Sequence, residues 1–258
     1  MTDDLKINDR VFNSRLILGT GRYPSTETMR LAVRSAGAEI VTVAVRLVDF
    51  DALDGGDDIT VNLPKDILIL PNTAGSRSAT EAIRLARLAR SGGLPAWVKL
   101  EVIPDQQYLL PDPIGTLEAA RELIADGFTV LPYINADPVL ATKLAEIGCQ
   151  AVMPLGSPIG SGRGLKLRES IQIIVEQAGV PVIVDAGLGA PSHAAEALEI
   201  GADAVLVNTA IATAKDAVKM SNAFRLAVQA GRQGYLAGLM QEIDCAVPSS
   251  PVEGSVEG

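Results

Sequence analysis

Histidine and cysteine are almost missing from this chain, which has one histidine and two cysteines in 258 residues. Cys149 and Cys245 form neither a disulfide framework nor a metal-ligand spacing. That excludes a stapled secreted domain, and the expected setting is reducing and cytoplasmic. The lone histidine, His193, follows Pro191 and Ser192 at an expected helix start, where a surface role is the ordinary one. No apolar run reaches the roughly 18 residues that cross a bilayer. The first residues carry two acids and no apolar stretch, unlike a secretory signal. Positive charge is scarce too: the formal net charge of -9 argues against a broad nucleic-acid surface. An anionic small molecule still fits, because backbone amides at helix starts supply local positive potential.

What the chain has is apolar residues (48%) and a regular βα alternation. Short apolar runs bounded by Gly, Pro, Asn or Asp predict strands at 16–18, 40–45, 67–70, 97–102, 129–131, 151–154, 182–185 and 205–207. Amphipathic stretches between them predict helices near 26–36, 82–91, 117–125, 139–147, 167–177, 194–200 and 216–230. Gly37, Gly148 and Gly201 each close a helix and lead into an apolar pair that starts a strand. Eight strands with helices between them predict a single (β/α)8 TIM barrel over residues 1–241. An open doubly wound sheet is the competitor. It is disfavoured because Gly19-Thr20-Gly21-Arg22-Tyr23-Pro24 lacks the third glycine of a dinucleotide fingerprint and the glycine loops cluster late. The acidic run 49–58 reads as a solvated connection and residues 242–258 as a disordered tail.

The segment Trp97-Val98-Lys99-Leu100-Glu101-Val102 stands out. Lys99 and Glu101 are two apart on a strand and so share a face, opposite Val98, Leu100 and Val102. A desolvated lysine has a depressed pKa and becomes a nucleophilic amine; an adjacent carboxylate opposes that depression but can shuttle protons. The bland alternative is a solvent-facing salt bridge at a strand end.

In a barrel, chemistry sits at the C-terminal ends of the strands. Three late loops there look suited to a phosphate: 156–164, Asp185-Ala186-Gly187-Leu188-Gly189 and Asn208-Thr209-Ala210. Asp185 ends its strand at the mouth, where it could exchange protons or merely cap the next turn. Asn72-Thr73-Ala74-Gly75 could line the same mouth, and Arg46 could hold an anion or a neighbouring acid. These parts describe a lysine that attacks a ketone on a phosphorylated substrate. An aldolase-like or isomerase barrel, or a non-catalytic sugar-phosphate binder, would share them.

Nine segments in order resemble bacterial thiazole synthases. They are Leu18–Tyr23, Glu39–Ala44, Leu70–Gly75, Trp97–Val102, Leu109–Pro113, Val152–Gly156, Pro158–Gly162, Val184–Gly187 and Asn208–Ala212, and the similarity spans about Ser14 to Met240. The resemblance implies a (β/α)8 barrel and a sulfur-incorporating transferase of the thiamine-thiazole branch. Its substrates would be 1-deoxy-D-xylulose 5-phosphate, dehydroglycine and the thiocarboxylate of a ubiquitin-like sulfur-carrier protein. Lys99 matches the imine-forming lysine, and Glu101 and Asp185 match the acid–base carboxylates. Gly160, Ala186, Gly187, Asn208 and Thr209 match the sugar-phosphate site. The implied steps are imine formation at C2, a shift of the carbonyl to C3, addition of the thiocarboxylate, acyl transfer and loss of water. Addition of dehydroglycine, ring closure and release of the carrier follow. These steps need no metal or organic cofactor, and the family's assemblies imply a homotetramer. Ser76 stands where a cysteine is common and Leu47 where a second arginine is common, and both departures are expected to affect the mouth.

Overall fold

A computed structural model describes residues 3–48, 63 and 66–249. The acidic run 49–58 lies outside the described residues. The chain opens with a small antiparallel hairpin, β1 (Leu5–Ile7) and β2 (Arg10–Phe12). The barrel strands are β3 (Leu16–Gly19), β4 (Ile40–Ala44), β5 (Leu68–Asn72), β6 (Trp97–Leu100), β7 (Thr129–Ile134), β8 (Met153–Pro154), β9 (Ile183–Asp185) and β10 (Ala204–Val207). They pair in parallel in the order β8-β7-β6-β5-β4-β3-β10-β9. Bridges between Val152 and Val182 and between Leu155 and Asp185 join the two ends, so the sheet closes. The helices are α1 (Thr26–Ala36), α2 (Ala79–Ser91), α3 (Pro113–Ala125), α4 (Pro138–Glu146), α5 (Arg168–Gln177), α6 (Pro191–Glu199), α7 (Thr209–Ala212) and α8 (Ala217–Ala237).

Local chemistry sets these elements. In α1, Ser25 Oγ accepts the Thr28 N–H at 3.1 Å and Gly37 ends the helix at φ +60°. Between the caps, Met29, Ala32, Val33 and Ala36 recur at i, i+3, i+4 and i+7 and are buried. Burial of Met29 and Val33 contributes about 1.5–3 kcal/mol each. Asp112 caps α3 through the Ile114 N–H and Pro113 occupies its first turn, so that helix starts a turn earlier than the apolar pattern predicts.

Two cores follow from strand alternation. Val98, Leu100 and Val102 face outward and pack with Ala119, Ala120 and Leu123 of α3. Ile17, Ile40, Leu68, Trp97, Leu131, Ile183 and Ala204 fill the bore, together with Leu5, Ile7 and Phe12 of the hairpin. The hairpin therefore plugs the N-terminal end of the barrel. Phe12 meets Trp97 edge-on at 6.4 Å, and Asn8 Nδ2 donates to Thr129 Oγ1 at 3.1 Å. Arg15 donates to the Asp203 and Asp3 carbonyls at 2.7 and 2.8 Å. The opposite, C-terminal end carries the polar groups.

Candidate active site

β6 places Lys99 inside the mouth of the barrel. The strand ends at Leu100, two residues before the predicted end, yet Glu101 keeps the inward direction. Lys99, Glu101 and Asp185 are 6%, 5% and 3% exposed, so a solvent-facing salt bridge is excluded. The Lys99 ammonium lies 2.5 Å from Asp185 Oδ2 and 3.2 Å from Glu101 Oε1. The contact with Asp185 is an ion pair by distance; its angles do not make a good hydrogen bond to Oδ2.

This geometry corrects the expected charge state. Burial is the largest influence on Lys99 and alone would lower its pKa. The charges of Asp185 and Glu101 together outweigh it, so the amine is held above the ordinary lysine range, as ammonium. The sequence shows one adjacent carboxylate; the fold brings the second from β9. Glu101 is shifted upward by burial, with Lys99 opposing and Asp185 adding. A carboxylate raised in this way is suited to take the lysine's proton.

Two further residues support the trio. Thr73 Oγ1 donates to the Glu101 carbonyl and accepts the Glu101 N–H, both at 2.8 Å, which fixes the chain just past the strand. Tyr133 points inward from β7, fully buried, with its ring centroid 5.6 Å from Lys99 Nζ. Burial, and then the two carboxylates, raises its pKa, so it is present as the phenol. Thr73 was legible only as part of a mouth segment; Tyr133 lies beyond the predicted end of its strand.

Above the trio opens a cavity of about 530 Å³. All eight residues that the resemblance assigns to the site line it: Lys99, Glu101, Asp185, Gly160, Ala186, Gly187, Asn208 and Thr209. Asn72, Ala74 and Gly75 line it as well. Ala186 takes φ +61°, a left-handed conformation that costs a residue with a Cβ about 1–3 kcal/mol. Gly187 beside it, at φ +77°, has no room for a side chain: a Cβ would stand 1.9 Å from Ser157 Oγ. With its amide nitrogen turned inward, Asn208 donates to the Gly21 carbonyl at 2.8 Å. The Asn208 side chain thus ties the β3 loop to the β10 loop. Arg46 does not line the cavity. Its guanidinium lies behind Gly75, where a Cβ would be 2.9 Å from Nη1. Of the two departures in the resemblance, Leu47 lines the rim, whereas Ser76 is buried behind it. Among the described residues, no group of three or more His, Cys, Asp or Glu could hold a metal ion. No described helix is long and apolar enough to cross a membrane.

A closed (β/α)8 barrel with a lysine–carboxylate trio under a glycine-rimmed mouth is the class of protein that the fold and site define. Residues 6–251 match the family described as thiazole biosynthesis protein ThiG, and the chain belongs to that family. The match extends beyond the Ser14–Met240 span at both ends. The thiazole synthase of Syntrophobacter fumaroxidans is 58% identical over 254 residues, covering 98% of this chain and 99% of the relative. That of Photobacterium profundum is 55% identical over 249 residues, 96% of each chain. A chain of the solved BexX/CysO complex from Amycolatopsis orientalis superposes with a TM-score of 0.83 at 37% identity, covering 93% of this chain and 98% of that one. The chain is thus an enzyme of thiazole biosynthesis.

Proposed function

We propose that this enzyme is a transferase that condenses 1-deoxy-D-xylulose 5-phosphate, dehydroglycine and carrier-borne sulfur into the thiazole phosphate precursor of thiamine, through an imine on Lys99. One observation carries the reading: a buried amine held between two carboxylates at the floor of a cavity rimmed by two glycine-rich loops and the Asn208-Thr209 turn.

In the resting enzyme the ammonium cannot attack a carbonyl. When the keto sugar displaces water, Glu101 accepts the Lys99 proton and the neutral amine adds to C2. Glu101 returns a proton to the departing hydroxyl, water leaves, and the iminium forms. Asp185, across the amine from Glu101, takes the C3 proton, and the resulting enamine tautomerises to a C3 ketone. The carrier thiocarboxylate adds there. Backbone amides of the loops at Gly160, Ala186–Gly187 and Asn208–Thr209 hold the phosphate at the rim. The complex of the similar BexX chain with CysO supports a protein partner. Apolar residues exposed at the end of α8 and beyond it, Leu236, Leu239 and Met240, offer a contact surface for the proposed homotetramer.

Borohydride reduction with 1-deoxy-D-xylulose 5-phosphate, followed by peptide mass mapping, tests the reading. An adduct is expected on Lys99, none in Lys99→Ala, and product only when carrier thiocarboxylate and dehydroglycine are added. Turnover by Lys99→Ala, or an adduct elsewhere, refutes it.

A further inference from the structure

His193 is the chain's one histidine and takes no part in the proposed chemistry. It does not line the cavity; it sits behind two of the rim loops, at the third position of α6. Those loops, between β8 and α5 and between β9 and α6, are sewn together. The Gly156 N–H donates to the Asp185 carbonyl at 3.0 Å and the Gly164 N–H to the Gly187 carbonyl at 2.8 Å. Ser157 Oγ donates to the Gly187 carbonyl at 3.4 Å. Gly162 and Gly189 touch backbone to backbone, so that a Cβ on Gly189 would lie 2.6 Å from Gly162 Cα.

His193 closes this seam from outside. Its Nδ1 accepts the Gly189 N–H at 3.1 Å, which places the ring proton on Nε2. Its ring also lies against Gly164 in the other loop, where a Cβ would come within 2.9 Å of Cδ2. The N-cap of α6, Ala190, has no side chain to bond the helix start. Capping alone would need only the bond to Gly189; the ring contact reaches across to the second loop. Gly162, Gly164 and Gly187 all sit at positive φ, in loops with many alternative conformations when unrestrained.

We propose that His193 is a positioning residue: it clamps the two glycine loops together and so sets the grip on the phosphate end of the substrate. The proposal rests on the reading of the site given above. A clamp outside the cavity pre-organises the loops, so its loss weakens binding and leaves chemistry at saturation intact.

The test compares the full-length wild type with His193→Ala, His193→Leu and His193→Asn. Calorimetry gives affinities for 1-deoxy-D-xylulose 5-phosphate, inorganic phosphate and unphosphorylated 1-deoxy-D-xylulose, and steady-state assays give KM and kcat. His193→Ala should weaken both phosphorylated ligands about tenfold, raise KM alike, and leave kcat and the unphosphorylated sugar within about twofold. His193→Leu, which retains bulk against Gly164 without an acceptor, carries the same comparison if the alanine variant does not fold. Asparagine offers an oxygen to the Gly189 N–H and should recover most of the affinity. Unchanged phosphate affinity, an equal loss for the unphosphorylated sugar, or a fall in kcat at constant KM overturns the assignment. Wild type that neither binds the sugar phosphate nor is reduced onto Lys99 defeats the site reading itself. Normal wild-type trapping with an unaffected alanine variant defeats His193 alone.

Discussion

Asp185→Asn should make Lys99 easier to modify and the enzyme slower. The ammonium sits 2.5 Å from Asp185. At an effective dielectric of about 20, a pair of unit charges at that distance is worth about 7 kcal/mol. Removing it would by itself lower the amine's pKa by about 5 units. The asparagine carbonyl still accepts a hydrogen bond and the site relaxes, which brings the expected fall to about 2–3 units. Burial is then opposed only by Glu101 at 3.2 Å, and Lys99 falls back toward the ordinary lysine value. The assay is cyanoborohydride trapping with 1-deoxy-D-xylulose 5-phosphate from about pH 6 to pH 10, below the ordinary lysine value, read as the rate at which the Lys99-peptide adduct forms. Below that value the neutral fraction rises about tenfold per unit of pKa lost, so Asp185→Asn should form the adduct on the order of 10²-fold faster at a given pH. Thiazole formation should fall roughly 10²–10⁴-fold, the usual worth of a positioned acid–base group. A trapping rate that stays or falls refutes the electrostatic account of Lys99; undiminished product formation refutes proton transfer by Asp185.

Thr73→Val strands the buried Glu101 N–H, and should cost about 1–3 kcal/mol in urea unfolding; it should also lower kcat as Glu101 loses its anchor. Gly187→Ala forces a Cβ into Ser157 at a left-handed φ and should abolish sugar-phosphate binding in calorimetry while lowering Tm. Stability should also report the ion trio. The pKa of Lys99 is raised in the folded state, so its stabilisation is complete below the unfolded value of about 10.4 and is lost as pH climbs through the folded value. Thermal melts should therefore fall more steeply above about pH 10.4 for wild type than for Lys99→Met/Glu101→Gln/Asp185→Asn.

The barrel was legible because parallel strands covered on both faces read as apolar runs, and all eight expected strands form, with shifts at their ends. The hairpin of Leu5–Ile7 and Arg10–Phe12 escaped: three-residue strands leave too little alternation to detect, and only the closed bore explains why Phe12 is buried. The site was legible as separate ingredients, since Lys99 and Glu101 share a strand while the glycine loops announce tight backbone. The charge of Lys99 was not, because it depends on how near the fold brings Asp185. Tyr133 and the seam held by His193 are likewise products of tertiary contact. A histidine two residues after a proline looks the same whether it caps a helix or spans two loops.

The stopper that Leu5, Ile7 and Phe12 form at the far end has a traffic consequence. Among the described residues the bore is a cul-de-sac, so under the proposed function sugar, imine and finished ring would all share one doorway. The proposed protein donor, delivering sulfur there, would block the exit while it reacts. Departure of the spent donor must then precede release of the heterocycle, and excess spent carrier that rebinds at the mouth should slow product release.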